Sequence, residues 1–151
     1  MNEQNYASRK ASKRMQDAEI VLETDVVWML LPNTYVTLID GSSPSQWRLI
    51  SKDNPAYSVG VFKEYELIPA PSFAELWMEL PECIPYDDTT WASWRCYKQG
   101  NLTRCSVTAY GKEFVNTNPA DALAELLILV KGQNRERILN KLQDHADKLK
   151  W

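Results

Sequence analysis

The stretch Asn116–Gly132, NTNPADALAELLILVKG, decides how the rest of the chain is read. Asn118 is placed to cap a helix, and Pro119 at its first position lacks an N–H that would have no partner there anyway. Asp121 suits the positive end of the helix dipole and Lys131 the negative end. Gly132 is expected to take the left-handed conformation that stops the helix. Between these marks Leu123, Leu126, Leu127 and Val130 recur at i, i+3, i+4 and i+7, and Ala122, Ala124, Ile128 and Leu129 widen the stripe. Only Asp121 and Glu125 are polar inside it, so most of the circumference must be covered by other elements.

Working outward, the next segment, Gln133–Trp151, predicts a second helix in tandem over about 134–150, capped by Asn134. Its seam is narrow: Ile138, Leu142, Ala146 and Leu149, ringed by charges. Such a seam either lies across the body or pairs with its copy in a homo-oligomer. Upstream, Thr90–Tyr110 predicts a β-hairpin. With Gly100-Asn101 as a two-residue type II′ turn, Ala92, Trp94, Cys96, Cys105, Val107 and Ala109 share an apolar face, and Cys96 falls opposite Cys105. The pairs Ser93–Thr108, Arg95–Ser106, Tyr97–Arg104 and Trp91–Tyr110 make the other face.

The segment PAPSFAELWMELP predicts a helix over 72–80, with Ser72 and Glu75 as a capping box and Phe73, Leu76, Trp77 and Leu80 as its apolar stripe. Strands are expected over about Asp25–Leu31, Thr34–Gly41, Trp47–Ile50 and Tyr57–Ile68. A weakly amphipathic helix over 5–18 places Ala7, Ala11, Met15 and Ala18 on its narrow face. The expected architecture is one α+β domain over 1–151. An antiparallel sheet including the 90–110 hairpin is packed by the 72–80 and 118–131 helices, with helices at both termini.

At 151 residues, with 44% hydrophobic and 25% charged side chains, the composition is that of an ordinary globular domain. The longest apolar run, Val26–Leu31, falls far short of the roughly 20 residues of a membrane span. No secretory signal is read at the N-terminus, so a cytoplasmic location and free thiols at Cys83, Cys96 and Cys105 are expected. The charge is divided. Residues 1–18 carry four Lys/Arg against Glu3 and Asp17, net +2, and residues 131–151 carry six against three acidic residues, net +3. The acidic middle brings the whole chain to −3.

Little in the chain points to catalysis. His145 is the single histidine and stands between Asp144 and Asp147 on a charged helix, where a solvated surface role explains it. The cysteine spacings match no zinc pattern, and the five glycines form no phosphate-cradling loop. No catalytic residue, metal ligand set or cofactor is therefore assigned. Asp87/Asp88, Glu75/Glu79 and Asp121/Glu125 are carboxylate pairs that the wet face of a helix or an Asp turn already explains.

The candidate binding face is the polar side of the hairpin. Trp91, Arg95, Tyr97, Arg104 and Tyr110 would stand together there, the arrangement that stacks a base and holds its phosphate. The plain alternative is cation–π packing under a covering element. A second candidate is a phosphate-backbone contact through Arg9, Lys10, Lys13, Arg14, Arg135 and Arg137 at the basic ends. The acidic pI of about 5.2 speaks against it.

Three segments, Ile68–Pro81 (IPAPSFAELWMELP), Val115–Gln133 (VNTNPADALAELLILVKGQ) and Ser12–Pro32 (SKRMQDAEIVLETDVVWMLLP), carry a resemblance. Together they resemble uncharacterised small proteins of phages and prophages of gut Bacteroidales-type bacteria. Glu19 stands where a Gly often ends the first helix of that group. The resemblance implies a small α+β fold and a phage or prophage setting, and it transfers no activity and no site residue. The favoured expectation is a non-enzymatic accessory protein acting as a binding module in the host cytoplasm. Its ligand would be a host protein or a small nucleotide-like molecule, with homo-oligomerisation through 134–150. The alternatives are a nucleic-acid-binding protein using the basic ends and, third, a metal-dependent hydrolase on Asp87/Asp88 or Asp121/Glu125.

Overall fold

The structure is a computed structural model that describes residues 2–32, 37–41, 45–54, 67–86 and 89–149. The strand expected over Tyr57–Ile68 lies outside the described residues except for 67–68, which belong to a short strand. Of the strand expected over Thr34–Gly41, residues 34–36 lie outside, and 37–41 form no strand but lead into a turn at 39–40 and a bend at Gly41.

Three helices are present among the described residues: α1 (Arg9–Asp17), α2 (Phe73–Glu79) and α3 (Pro119–Lys148). The strands are β1 (Val26–Pro32), β2 (Ser45–Ser51), β3 (Leu67–Pro69), β4 (Ile84–Pro85), β5 (Trp91–Ala92), β6 (Arg95–Gln99), β7 (Leu102–Val107) and β8 (Lys112–Asn116). All pairings are antiparallel, in the orders β2-β1-β3, β4-β5 and β6-β7-β8. The fold is α+β, as expected. The β-structure is divided among these sheets, however, and the hairpin does not share a sheet with the early strands.

The first half of α3 is the centre. Ala120, Ala122, Leu123, Ala124, Leu126, Leu127 and Val130 are buried, so apolar neighbours cover most of the helix's girth. Those neighbours are Ala7, Ala11 and Met15 from the N-terminal segment, Leu76 and Leu80 of the α2 region, Ile84, Ala92, and Cys105 and Val107 of β7. Asn118 caps the helix: its Oδ1 accepts from the amides of Ala120 (2.9 Å) and Asp121 (3.4 Å). The α2 capping box forms as read, with Ser72 Oγ accepting from Glu75 N and Glu75 Oε2 accepting from Ser72 N.

Gly132 is not a stop. It lies inside α3, which runs unbroken to Lys148, and it is absent from the glycines with positive φ. One helical glycine costs about 1 kcal/mol against alanine, and the run that follows (Gln, Arg, Glu, Leu, Lys) restores helix propensity on its far side. The expected tandem pair, with Asn134 as a second cap, is therefore one 30-residue helix. The left-handed stop occurs elsewhere: Glu19 sits at φ 59° just past α1.

The hairpin keeps its register over half of its expected length. Arg95–Ser106, Cys96–Cys105 and Tyr97–Arg104 are paired as read, and Gly100 turns the chain at φ 64°. Beyond Arg95 the ladder ends. The Trp94 indole N–H donates to Pro81 O (2.6 Å), and its ring meets Trp77 edge-on at 5.0 Å. Trp91 and Ala92 pair instead with Pro85 and Ile84. After Val107 the chain takes a 3-10 turn (Thr108–Tyr110) and returns as β8 along the other side of β7. The expected pairs Ala92–Ala109, Ser93–Thr108 and Trp91–Tyr110 do not form.

The N-terminal segment is laced to distant parts of the chain. The Ser8 amide donates to Asp121 Oδ1 at 2.6 Å, and Asn118 Nδ2 donates to Tyr6 O at 3.0 Å. The Ala7 amide donates to Pro71 O, and the Trp28 indole donates to Ala7 O. These bonds join the β2-β1-β3 sheet to the α3 core through residues 6–8. No helix among the described residues is long and apolar enough to cross a membrane.

Candidate binding surfaces

The five residues expected on one hairpin face divide into two groups. Arg95, Tyr97 and Arg104 do share the outer face of the β6-β7-β8 sheet, since Tyr97 pairs with Arg104 and Arg95 with Ser106. β8 adds Glu113 and Val115 to that face. Arg104 is already engaged there, donating from Nε to Gln99 Oε1 (2.6 Å) and forming an ion pair with Glu113. Trp91 precedes that sheet in the chain, and Tyr110 lies in the 3-10 turn between β7 and β8. Trp91 is exposed on β5, and the Tyr110 ring lies tilted against Tyr86 with ring centroids 5.6 Å apart. Burial pushes the Tyr110 phenol above its ordinary value of 10.0, with Arg137 opposing and Tyr86 adding to the shift. Sequence reasoning missed Glu113 because β8 was not foreseen: Lys112–Asn116 reads KEFVN, with its charged residues adjacent and its apolar residues adjacent, so no period-two alternation marks it as a strand.

The basic ends do approach each other, with acidic groups between them. Arg14 pairs with Glu125 of α3, Arg135 reaches Glu19 Oε2 and Ala18 O at 3.5 Å each, and Lys13 pairs with Asp17 at 3.3 Å. Arg9 lies over the Trp47 ring, 5.2 Å from its centroid. Arg137 sits near Tyr110, and Lys10 is exposed on α1. Much of this basic charge is thus spent within the protein, which lowers the field it can offer a phosphate backbone.

Three of the paired carboxylates have structural partners as well. Asp121 accepts from Ser8 N, Glu125 pairs with Arg14, and Glu75 bridges Ser72 N and Asp25 N. Asp87 and Asp88 lie outside the described residues. Among the described residues no group of three or more His, Cys, Asp or Glu is placed to hold a metal ion. His145 is exposed near the end of α3.

Among the described residues, two concave surfaces bear on binding. The first, of about 390 Å³, runs between the free edge of β6 and α2, with Phe73, Trp77, Cys96, Tyr97, Thr103 and Pro119 among its walls. The second, of about 590 Å³, lies at the root of the outer half of α3, where Ile20, Val21 and Leu22 face Lys131, Ile138 and Leu139. From that groove the helix continues with its seam uncovered: Ile138 is 60% exposed, Leu142 61% and Leu149 72%. Val21 and Met78, both strongly exposed, extend the apolar surface around the groove. The groove itself is mixed, with Glu19, Glu79, Asn134 and Arg135 beside its apolar residues.

No family model matches the chain, and no curated protein or solved structure is significantly similar to it.

Proposed function

We propose that this chain is a non-enzymatic binding module that works by protein–protein contact, through the outer half of α3 and the groove at its root. The observation that carries the reading is the seam Ile138–Leu142–Leu149, which continues a well-packed helix past the point where the body covers it. A helix that buried nothing over this stretch would have no need of large aliphatic residues at i, i+4 and i+11 spacing.

The first occupant is a second copy of the same segment, lying antiparallel. Residues 135–141 carry Arg135, Arg137 and Lys141 against Glu136, whereas residues 142–149 carry Asp144 and Asp147 against Lys148. Antiparallel pairing therefore sets a basic half against an acidic half, and each seam covers the other. The resemblance noted above supplies the setting, an accessory protein of a phage or prophage working in the cytoplasm of a bacterial host.

Nucleotide capture through Arg95 and Tyr97 has less support, because Arg104 is committed to Glu113 and Trp91 lies on another ribbon. The test is sedimentation equilibrium over a range of concentrations. The wild type is expected to associate reversibly, and Ile138→Asp/Leu142→Asp to remain a monomer with unchanged far-UV dichroism. A wild type that stays monomeric throughout, or a variant that associates equally well, refutes the reading.

A further inference from the structure

We infer that Cys96 and Cys105 form a reversible cross-strand disulfide site, oxidised by a low-molecular-weight disulfide such as glutathione disulfide that enters through the cleft beside β6. The register comes first. Gln99 and Leu102 flank the two-residue turn and make the closing hydrogen-bonded pair, so alternation along the ladder makes Cys96–Cys105 a non-hydrogen-bonded pair. Such pairs hold their Cα atoms about 4.5 Å apart, within the roughly 4.4–6.8 Å that a disulfide spans. The two thiols already touch, with Cys105 Sγ donating to Cys96 Sγ at 3.1 Å.

Access then sets the order of reaction. Cys105 is fully buried under α3, whereas Cys96 is half-buried and forms part of the cleft wall with Phe73 and Trp77. The cleft's 390 Å³ lies in the size range of small-molecule sites. The Cys96 thiolate attacks one sulfur of glutathione disulfide, forming a Cys96–glutathione mixed disulfide and releasing one glutathione thiolate. Cys105 then attacks the Cys96 sulfur and releases the second glutathione, which takes up the Cys105 proton. The pair loses two electrons and two protons in total, and one glutathione disulfide becomes two glutathione thiols. Burial holds Cys105 in its thiol form, so the second step is the slower one. Exposed Cys83 has no thiol opposite it among the described residues, and in it oxidation stops at the mixed disulfide.

The experiment uses the full chain carrying Cys83→Ser, incubated natively with glutathione disulfide, then denatured, alkylated and weighed. Two alkylatable thiols are expected to fall to none, with a mass lower by two hydrogens that dithiothreitol restores. Adding Cys105→Ser is expected to stop the reaction at one glutathionyl adduct on Cys96, and adding Cys96→Ser to leave Cys105 unmodified in the native protein. Retention of both alkylatable thiols in the Cys83→Ser protein, or stable adducts without an internal disulfide, overturns the site. Modification of Cys105 when Cys96 is absent overturns the route. If either double variant fails to fold, the Cys83→Ser measurement alone decides whether the disulfide forms.

Discussion

Replacing Gly132 by alanine tests the continuity of α3 by the sign of the result. An ideal Cβ built on Gly132 meets nothing within 4 Å, so the substitution neither clashes nor adds packing. What remains is backbone preference. Alanine is favoured over glycine by about 0.8–1.0 kcal/mol in a helix interior. The expected effect is therefore a stabilisation of about 1 kcal/mol, roughly fivefold in the local helix–coil equilibrium.

Because little of the outer half is buried, part of this gain appears locally, as stronger dichroism at 222 nm and slower amide exchange over Gln133–Lys141. The part shared with global unfolding raises Tm by up to about 2–4 °C. A left-handed stop at Gly132 would give the opposite sign, since alanine at positive φ costs about 1–2 kcal/mol. Gly111→Ala is the internal control. Gly111 sits at φ 62° with equally open space around its Cβ position, so a comparable loss is expected there. A fall in Tm for Gly132→Ala, matching that of the control, would refute the continuous helix.

Glu19→Gly should act in the reverse sense. It relieves a non-glycine residue at φ 59°, worth about 1 kcal/mol, and gives up only an exposed ion pair to Arg135, so a higher urea midpoint is expected. Stability should also fall at alkaline pH. Burial, and then the neighbouring Cys96, raise the Cys105 thiol above its ordinary value of 9.0, so above that pH the unfolded chain releases a proton that the folded chain keeps. The contribution is fully present below pH 9.0 and is lost above it, with a slope of at most about 1.4 kcal/mol per pH unit. Urea titrations between pH 8 and 10 should show a steeper decline for the wild type than for Cys105→Ala; equal slopes would refute the assignment.

The elements that could be read from the sequence are those set by local chemistry. Asn118 and the Ser72/Glu75 box act within a single helical turn, and the Cys96–Cys105 register follows from one two-residue turn. The places where reading failed are those where a distant partner decides. Trp94 leaves the hairpin because Pro81 O and the Trp77 ring hold it, and neither lies in the hairpin segment. Gly132 misled for a different reason: its preference for a helix end is weak beside the combined propensity of the residues around it. The candidate face was half legible. Cross-strand alternation put Arg95, Tyr97 and Arg104 together, but the partner of Arg104 arrived on β8, and the ladder stopped short of Trp91 and Tyr110. The exposed seam of α3 was visible as a pattern, and only the structure placed it beyond the body.

The bond from the Ser8 amide to Asp121 also sets a schedule for synthesis. Its two ends lie 113 positions apart, and a ribosome adding about 5–20 residues per second separates their emergence by roughly 6–23 s. Throughout that interval the small apolar side of α1, Ala11 and Met15, has no core to enter, because the helix that receives it has not yet been made. The nascent chain must therefore keep its first amphipathic segment soluble by its own lysines and arginines, or on a chaperone, until the helix that begins at Pro119 arrives. A pause upstream of Asp121 would lengthen this exposure directly.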